Sequence, residues 1–333
     1  MSNVVVILGP EGERADIRMR ECGDVARRVG GVELKHVSSD LPLDEIVEQA
    51  KDAVVILPNG AFKEMTELAR RLPNLKMIQT FSAGTDYLDK AALAEMGVVV
   101  ANNGGANAVA VAEHAIGLMF SVYRKLDKQI QSVKDGTWMV GVTGDRTDFH
   151  TLVGKRVGIV GLGRIGSRVA KRLQGWECEV VYHDVVNFPA DYVEAAHATK
   201  VGFEELLKTS DIVTLHVPLE RTTRHMMSDA EFDMMKETAI LVNTCRGPVV
   251  DEEALVRALN AKKIFAAGLD VTEIEPIEMN NPLLKMENVI LTPHLATRAI
   301  ESEWNAAENT ITNAARVARG EKPFLVVGAI AGG

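Results

Sequence analysis

The chain has 333 residues, which is too long for one ordinary domain and suits two. Hydrophobic residues make up 47% and charged residues 25%, a composition typical of a globular protein whose core needs neither metal nor disulfide. The net charge of −9, without any Lys/Arg-rich run, argues against nucleic acid and anionic membrane surfaces as partners. A small anionic ligand is still compatible with this charge, because a few local arginines decide its binding.

The cysteines and the N-terminus indicate the compartment. The cysteines are widely spaced and form no CxxC motif, which is typical of a reducing environment and predicts no disulfide framework. Residues Met1–Leu8 lack the basic and apolar regions of a signal peptide. The longest apolar stretch, 109–122, is interrupted by Glu113 and His114 and predicts a buried helix rather than a membrane span. We expect a cytoplasmic protein.

Short β-branched runs alternate with helix-like spacing in the first part of the chain. They predict strands at Val4–Leu8, Val32–Val37, Ala53–Leu57, Leu75–Thr80 and Val98–Val100. Such alternation predicts a parallel sheet with helices on both faces.

A long helical stretch, Ala106–Lys134, follows. Its first half is apolar nearly all round, so we expect the other domain or a second subunit to cover it. A loop rich in Gly, Thr and Asp comes next, at Gly136–Thr151.

A second alternating unit begins after this loop. Its predicted strands are Arg156–Val160, Glu179–His183, Ile212–His216, Ile240–Thr244, Phe265–Asp270 and Val289–Thr292. Strands in this number with helices between them predict a doubly wound Rossmann sheet. The amphipathic segment Ile300–Gly320 predicts a last helix that returns to the first domain. We expect an α/β fold with a substrate domain of residues 1–103 completed by 297–333, a dinucleotide-binding domain of residues 104–296, and a cleft between them.

A GxGxxG motif lies at 161–166, directly after the strand Arg156–Val160 and before a helical pattern. The first glycine allows a tight turn, the second lets a pyrophosphate approach the backbone, and the third lets helix and strand pack closely. The phosphates are then expected at the positive end of the helix. The motif alone is weak, but its context predicts a dinucleotide site.

Asp184 ends the next predicted strand, at about the 20-residue spacing from the glycines that dinucleotide sites show. An acidic residue there accepts hydrogen bonds from the ribose hydroxyls and repels a 2′-phosphate. Val185, Val186 and Asn187 offer no cation for such a phosphate. The sequence therefore favours NAD over NADP.

Arg246, Glu275 and His294 each follow a predicted strand of the second unit. Because ligands of open α/β sheets bind outside the carboxyl ends of the strands, we expect these side chains to converge above the nicotinamide. Taken singly, each also has an ordinary structural explanation: a strand-end ion pair, a solvated acid and a loop histidine.

The local sequence around these residues resembles the D-isomer-specific 2-hydroxyacid dehydrogenase family over nearly the whole chain. Besides the motifs above, the resemblance rests on five segments: Phe81–Asp86, Val111–Ala115, Leu215–Leu219, Gly247–Asp251 and Thr292–Ala296. It implies a flavodoxin-like substrate domain, an NAD-binding Rossmann domain and catalytic residues at Arg246, Glu275 and His294. It also implies a homodimer that buries the apolar helix after Ala106.

The implied chemistry is hydride transfer between NAD and a small D-2-hydroxy acid or its 2-oxo acid. Arg246 would hold the carboxylate in a forked ion pair and polarise the 2-oxo group. His294 would take or give the hydroxyl proton, and Glu275 would orient and charge the imidazole. No metal is required, and Cys245 is interpreted as a packing residue because hydride transfer needs no covalent step.

The cofactor contacts implied by the motifs and the resemblance are Gly161, Gly163, Arg164, Ile165, Gly166, Asp184, Val217, Pro218, Thr244, Cys245, Asp270 and Ala296. Asp270 is expected near the nicotinamide carboxamide, and Val217 and Pro218 on the adenine side. The substrate loop is expected at Ser82, Ala83 and Gly84, where small residues let backbone N–H groups reach the carboxylate.

Two questions stay open at this point. The substrate is hydroxypyruvate or glycerate, glyoxylate, lactate or 3-phosphoglycerate. A phosphite-oxidising branch of the family ranks low, because it carries a lysine where Ala83 stands. The alternative function is that of an NAD-sensing corepressor, since relatives with that role keep both the fold and the catalytic residues.

Overall fold

The computed structural model describes residues 3–138 and 148–327. Contacts divide the chain into two compact units, Met1–Asn107 with Arg298–Gly333, and Ala108–Thr297. The boundaries expected from sequence, 103/104 and 296/297, lie close to these. Much of the Gly136–Thr151 loop and of the apolar tail falls outside the described residues. Within the described ranges, no helix is both long and apolar enough to cross a bilayer.

Unit 1 contains a five-stranded parallel sheet in the order β2-β1-β3-β4-β5. Its strands are β1 Val4–Gly9, β2 Glu33–Ser38, β3 Ala53–Pro58, β4 Met77–Gln79 and β5 Val99–Ala101. Its helices are α1 Glu13–Val29, α2 Leu43–Ala50, α3 Met65–Arg70, α4 Lys90–Glu95 and α12 Ile300–Ala318. The strand order is flavodoxin-like, with the switch point between β1 and β3, as the family resemblance implied.

The last helix, α12, packs on unit 1 as predicted. Ala307, Ile311 and Ala314 are buried with the apolar residues of α1 and β3. The Asn103 side chain donates to the carbonyl of Ala306, at 2.8 Å, which fixes the helix to the segment after β5. Burial of a small-residue stripe lets the helix lie close to the sheet, so the chain's end completes the first domain.

Unit 2 contains a seven-stranded parallel sheet in the order β12-β11-β10-β9-β6-β7-β8. Its strands are β6 Arg156–Val160, β7 Glu179–His183, β8 Thr199–Lys200, β9 Ile212–Leu215, β10 Ile240–Asn243, β11 Ala266–Leu269 and β12 Val289–Leu291. Its helices are α5 Ala108–Arg124, α6 Leu126–Lys134, α7 Gly166–Arg172, α8 Ala190–Ala196, α9 Phe203–Thr209, α10 Asp229–Met234 and α11 Glu252–Asn260. The sequence missed β8, because this two-residue edge strand is exposed and has no hydrophobic alternation.

The stretch predicted as one long helix is two helices. Lys125 has a left-handed backbone, φ 48°, and separates α5 from α6. The apolar face of α5 packs on the sheet of its own unit: a Cβ placed on Gly268 of β11 would lie 3.2 Å from atoms of Leu118 and Val122. The cover that the sequence assigned to another domain or subunit therefore comes from within unit 2.

Candidate active site

The glycine loop after β6 needs its glycines for three different reasons. Gly161 has φ 94°, and a Cβ there would lie 2.7 Å from the carbonyl oxygen of His216. A Cβ on Gly166 would lie 2.1 Å from the carbonyl oxygen of Gly161. Gly163 faces open space, since no atom lies within 4 Å of such a Cβ. The loop thus has the tight turn, the close packing and the open approach that a pyrophosphate site requires.

Asp184 follows β7 and lies against this loop. Its Oδ2 accepts from the Leu162 N–H at 2.8 Å, and its Oδ1 accepts from the Val186 N–H at 2.8 Å. Each oxygen has two lone pairs, so one on each is left for a ribose hydroxyl. The carboxylate is thereby fixed in place before any nucleotide binds.

The end of β9 forms the neighbouring wall of the loop. Val217 Cγ1 lies 3.1 Å from the position of a Cβ on Gly161, so this residue adjoins the glycine loop, and the adenine-side role of Val217 and Pro218 stays a prediction. His216 is buried, which lowers its pKa to about 3 and keeps the ring neutral. Its Nε2 lies 3.0 Å from Thr214 Oγ1.

Two buried polar atoms at this edge have no hydrogen-bond partner within residues 3–138 and 148–327. They are His216 Nδ1 and Thr244 Oγ1, at the ends of β9 and β10. A buried polar group without a partner costs about 1–3 kcal/mol, so an unpaired hydroxyl at a ligand edge fits a ligand contact. Together with Asp184 and the opening at Gly163, Thr244 fits a dinucleotide.

The turn after β10 presents Arg246. Asn243 Oδ1 accepts from the Cys245 N–H, and Asn243 Nδ2 donates to the Arg246 carbonyl, both at 3.0 Å. One guanidinium nitrogen of Arg246 donates to the Cys245 carbonyl at 2.7 Å. Asn243 is a positioning residue that the sequence reading missed, although a buried amide at a strand end was the available signal. Burial raises the pKa of Cys245 to about 11, so this thiol is protonated at neutral pH.

Gly247 brings this turn against the loop that carries Glu275. A Cβ on Gly247 would lie 1.8 Å from the Thr272 carbonyl oxygen, so only glycine allows the two backbones to touch. The Thr272 N–H donates to Glu275 Oε1 at 3.1 Å. The Arg246 turn and the 272–275 loop are therefore one packed assembly.

His294 and Glu275 form a direct pair. The distance from His294 Nδ1 to Glu275 Oε2 is 2.6 Å, and the side chains are 41% and 36% exposed. His294 has a left-handed backbone with φ 53°, and its N–H donates to the Asp270 carbonyl at 2.8 Å. With Nδ1 engaged, the ring keeps Nε2 for a ligand.

Asp270 organises the histidine loop from a buried position. Its carboxylate accepts from Thr292 Oγ1 at 2.5 Å, Leu295 N–H at 3.0 Å and Ala296 N–H at 2.8 Å. Asp270 and Ala296 are thus partners in shaping the loop, and their expected contact with the cofactor stays a prediction. His114 belongs to the same network, with its Nε2 3.0 Å from Thr292 Oγ1.

In unit 1, the predicted substrate loop is braced through its carbonyl oxygens. The Ser82 carbonyl accepts from Thr80 Oγ1 at 2.7 Å, and the Ala83 carbonyl accepts from the Asn102 side chain at 2.8 Å. The Gly84 carbonyl accepts from Ser82 Oγ at 3.1 Å. Because the N–H of a trans peptide points opposite to its C=O, the N–H groups that follow these carbonyls point away from the braces. Backbone N–H groups of this kind are suited to a carboxylate.

Comparison with known proteins identifies the family of the chain. The family model for the D-isomer specific 2-hydroxyacid dehydrogenase NAD-binding domain matches residues 116–296. The glyoxylate reductase of Thermofilum pendens is 36% identical over 311 residues, which cover 93% of this chain and 89% of that protein. The hydroxypyruvate reductase of Thermotoga maritima is 34% identical over 277 residues, 81% of this chain and 87% of that protein.

A solved structure extends the likeness to the whole fold. The holo form of Rhodotorula graminis D-mandelate dehydrogenase has a TM-score of 0.83 and 29% identity, and the match covers 98% of each chain. Unit 2 is accordingly an NAD-binding domain. The chain belongs to the D-isomer-specific 2-hydroxyacid dehydrogenase family.

Proposed function

We propose that this chain interconverts a small D-2-hydroxy acid and its 2-oxo acid, with Arg246, Glu275 and His294 as the catalytic residues. The observation that carries the proposal is the 2.6 Å contact between His294 Nδ1 and Glu275 Oε2 on adjoining loops of the NAD-binding unit. A histidine held by a carboxylate, beside a dinucleotide loop, suits proton transfer coupled to hydride transfer.

NAD fits the residues that are present. Asp184 has lone pairs left for the ribose hydroxyls, Gly163 opens onto free space, and Thr244 Oγ1 is a buried hydroxyl in need of a partner. The bound nicotinamide supplies or accepts the hydride. The protein's tasks are to bind the acid, orient it, exclude water and move one proton.

His294 moves that proton. During reduction its Nε2 donates a proton to the carbonyl oxygen that becomes the hydroxyl, and during oxidation it takes the proton back. Glu275 accepts from Nδ1, which fixes the ring and favours the charged imidazolium before proton donation. Asp270 keeps the loop in the left-handed turn that places the ring.

Each unit, taken by itself, offers donors for a carboxylate. Arg246 offers a planar fork that matches a carboxylate in two parallel, charge-assisted hydrogen bonds. The backbone N–H groups at Ala83, Gly84 and Thr85 offer neutral donors, because the preceding carbonyls are held on the other side. Charge-assisted bonds are about twice as strong as neutral ones, so Arg246 dominates the affinity for the acid.

The substrate class is a short 2-oxo acid, with glyoxylate and hydroxypyruvate as first candidates. The two relatives described above carry these substrates in their names and align over most of the chain. A phosphorylated acid needs further cations. Arg298 is one, but it lies 3.5 Å from Glu303 and is partly neutralised by that carboxylate.

A turnover assay tests the proposal. Purified protein is mixed with NADH and, in turn, glyoxylate, hydroxypyruvate, pyruvate, 2-oxoglutarate and 3-phosphohydroxypyruvate. We expect turnover of at least one acid and its loss by a factor of about 10² to 10⁴ in His294→Ala, the usual contribution of general acid–base catalysis. NADH binding without turnover of any acid would instead support the corepressor-type alternative.

We also propose a homodimer, formed through α6 and not through the apolar helix after Ala106 that the sequence predicted. Leu126, Ile130 and Val133 lie on one face of α6 by their spacing and are 37%, 54% and 57% exposed. An apolar stripe on a short helix is costly in water and suits a contact with a second copy. Native mass spectrometry should give twice the chain mass, and Ile130→Lys should shift the population to monomer.

A further inference from the structure

Tyr192, on α8, reaches the glycine loop with its hydroxyl. The Oη lies 3.1 Å from the carbonyl oxygens of both Leu162 and Gly163, and 2.9 Å from Ser167 Oγ. The ring stacks on Phe188, with centroids 4.9 Å apart and 21° between the planes. The tyrosine is therefore fixed at both ends, by the stacked ring at its base and by the loop at its tip.

Leu162 is held from two sides by one segment of the chain. Its N–H donates to Asp184 Oδ2 at 2.8 Å, and its carbonyl accepts from the Tyr192 hydroxyl. Both side chains come from the stretch 184–192, which leads from β7 into α8. This stretch thus fixes the peptide groups before and after Leu162, in the middle of the loop.

Fixing these carbonyls orients the donors that face the other way. A trans peptide directs its N–H opposite to its C=O, so a Leu162 carbonyl turned to Tyr192 turns the Gly163 N–H away from it. The Gly163 carbonyl accepts from the Ser167 N–H at 3.0 Å and shares the single Tyr192 hydroxyl proton with the Leu162 carbonyl, which turns the Arg164 N–H in the same sense. Gly163 is also where the loop opens onto space free of protein atoms.

The loop needs such a clamp because glycine does not hold its own conformation. Glycine, the residue at 161 and 163, has access to more backbone conformations than any other residue type. A flipped peptide at these positions would present a carbonyl oxygen to the phosphates. We propose that Tyr192 is a positioning residue for the dinucleotide, whose hydroxyl holds the Leu162 and Gly163 peptides with their N–H groups toward the pyrophosphate. This inference rests on NAD as the cofactor.

The variant Tyr192→Phe tests it, since it removes the hydroxyl and keeps the ring stacked on Phe188. The dissociation constants for NADH and for ADP-ribose, measured by fluorescence and calorimetric titration, should rise about fivefold, the equivalent of one neutral hydrogen bond. With saturating NADH, kcat and the KM for the 2-oxo acid should not change, because no group that touches the acid has moved. Ser167→Ala should raise the NADH dissociation constant by a smaller factor.

Tyr123→Phe is the matched control. It also deletes a tyrosine hydroxyl that donates to a backbone carbonyl, that of Asp211 at 3.3 Å, but at the amino end of β9, away from the glycine loop. Its affinity for NADH should equal that of the wild type. Hydrogen exchange of the cofactor-free protein gives an independent readout: the amides of 162–166 should exchange faster in Tyr192→Phe and at the wild-type rate in Tyr123→Phe.

The outcomes separate the two proposals. Wild-type affinity for NADH and unchanged amide exchange in Tyr192→Phe would overturn the positioning role and leave the proposed function intact. Equal losses of affinity in both tyrosine variants would also overturn it, because they would show a general effect of a lost hydroxyl. A wild-type protein that binds no NADH would overturn the proposed function and this inference with it.

Discussion

Among the described residues of unit 2, two histidine–glutamate pairs look alike. The His294–Glu275 and His225–Glu273 contacts are 2.6 Å and 2.7 Å long, and both histidine side chains are 41% exposed. Both histidines also have left-handed backbones, with φ 53° and 52°. They differ in the nitrogen that is engaged, which is Nδ1 in His294 and Nε2 in His225.

We propose that this difference separates a catalytic pair, His294–Glu275, from a structural one, His225–Glu273. Engagement of Nδ1 leaves His294 with the outermost ring nitrogen for a substrate, whereas His225 has already used that nitrogen. Glu273 is in addition tied to α11, because its N–H donates to Glu252 Oε2 at 2.9 Å and its own Oε2 accepts from the Glu252 N–H at 3.3 Å. The second pair therefore fastens the 272–275 loop to a helix, and a short histidine–carboxylate distance alone does not identify an acid–base site.

The largest expected effect comes from exchanging the two glutamates separately for glutamine. Glu275→Gln should lower kcat roughly 10²-fold, the low end of the contribution of general acid–base catalysis, because a neutral amide cannot favour the imidazolium. Glu273→Gln should leave kcat unchanged and lower only the melting temperature. Steady-state kinetics and thermal unfolding of both variants check this. Equal losses of kcat would show that the two pairs do not differ in function.

The second-largest expected effect comes from Asp270, which holds the loop that carries His294. Asp270→Asn places an amide N–H₂ among the donors of Thr292, Leu295 and Ala296, and an unsatisfied buried group costs about 1–3 kcal/mol. We expect that loss in the free energy of unfolding from urea titration, together with a fall in kcat as the His294 loop loosens.

A matched aspartate lies near the structural pair. Asp251 caps α11 by accepting from the Ala254 N–H at 3.0 Å, and asparagine caps helices about as well as aspartate. Asp251→Asn should therefore change neither the free energy of unfolding nor kcat appreciably. If Asp270→Asn is equally harmless, the buried carboxylate does not shape the histidine loop.

The sequence predicted those site residues whose positions depend on a hydrophobic strand or on the spacing of glycines. Arg246, Glu275 and His294 follow strands whose hydrophobic runs are plain, so their place at the carboxyl edge could be predicted. The glycine loop could be predicted because the GxGxxG spacing directly after a strand is itself the pattern that a dinucleotide loop requires. Strand ends were less certain, as with Leu75–Thr80, of which only Met77–Gln79 forms β4.

The supports of the site could not be predicted in the same way. Asp270 and Tyr192 contact backbone groups that the fold brings near, and neither spacing nor composition marks such contacts. Asn243 had only the weak signal of an amide at a strand end. The break at Lys125 was also invisible, because lysine carries no signal for a left-handed turn. Tertiary structure decides these features.

A third histidine, His216, contrasts with the two paired histidines because it has no carboxylate partner among the described residues. Burial lowers its pKa from 6.5 to about 3, so the folded chain stays neutral at this ring where the unfolded chain takes up a proton. Its contribution to stability is therefore complete above about pH 6.5 and falls by about 1.4 kcal/mol per pH unit as the pH drops toward 3. Urea titrations at pH 7 and pH 5 should show this loss.

His216→Gln should reduce the loss, by about 2 kcal/mol between those two pH values, since glutamine does not titrate. His197→Gln, at an exposed histidine with a left-handed backbone, is the control and should keep the wild-type dependence. A wild-type slope in His216→Gln would place the acid sensitivity elsewhere.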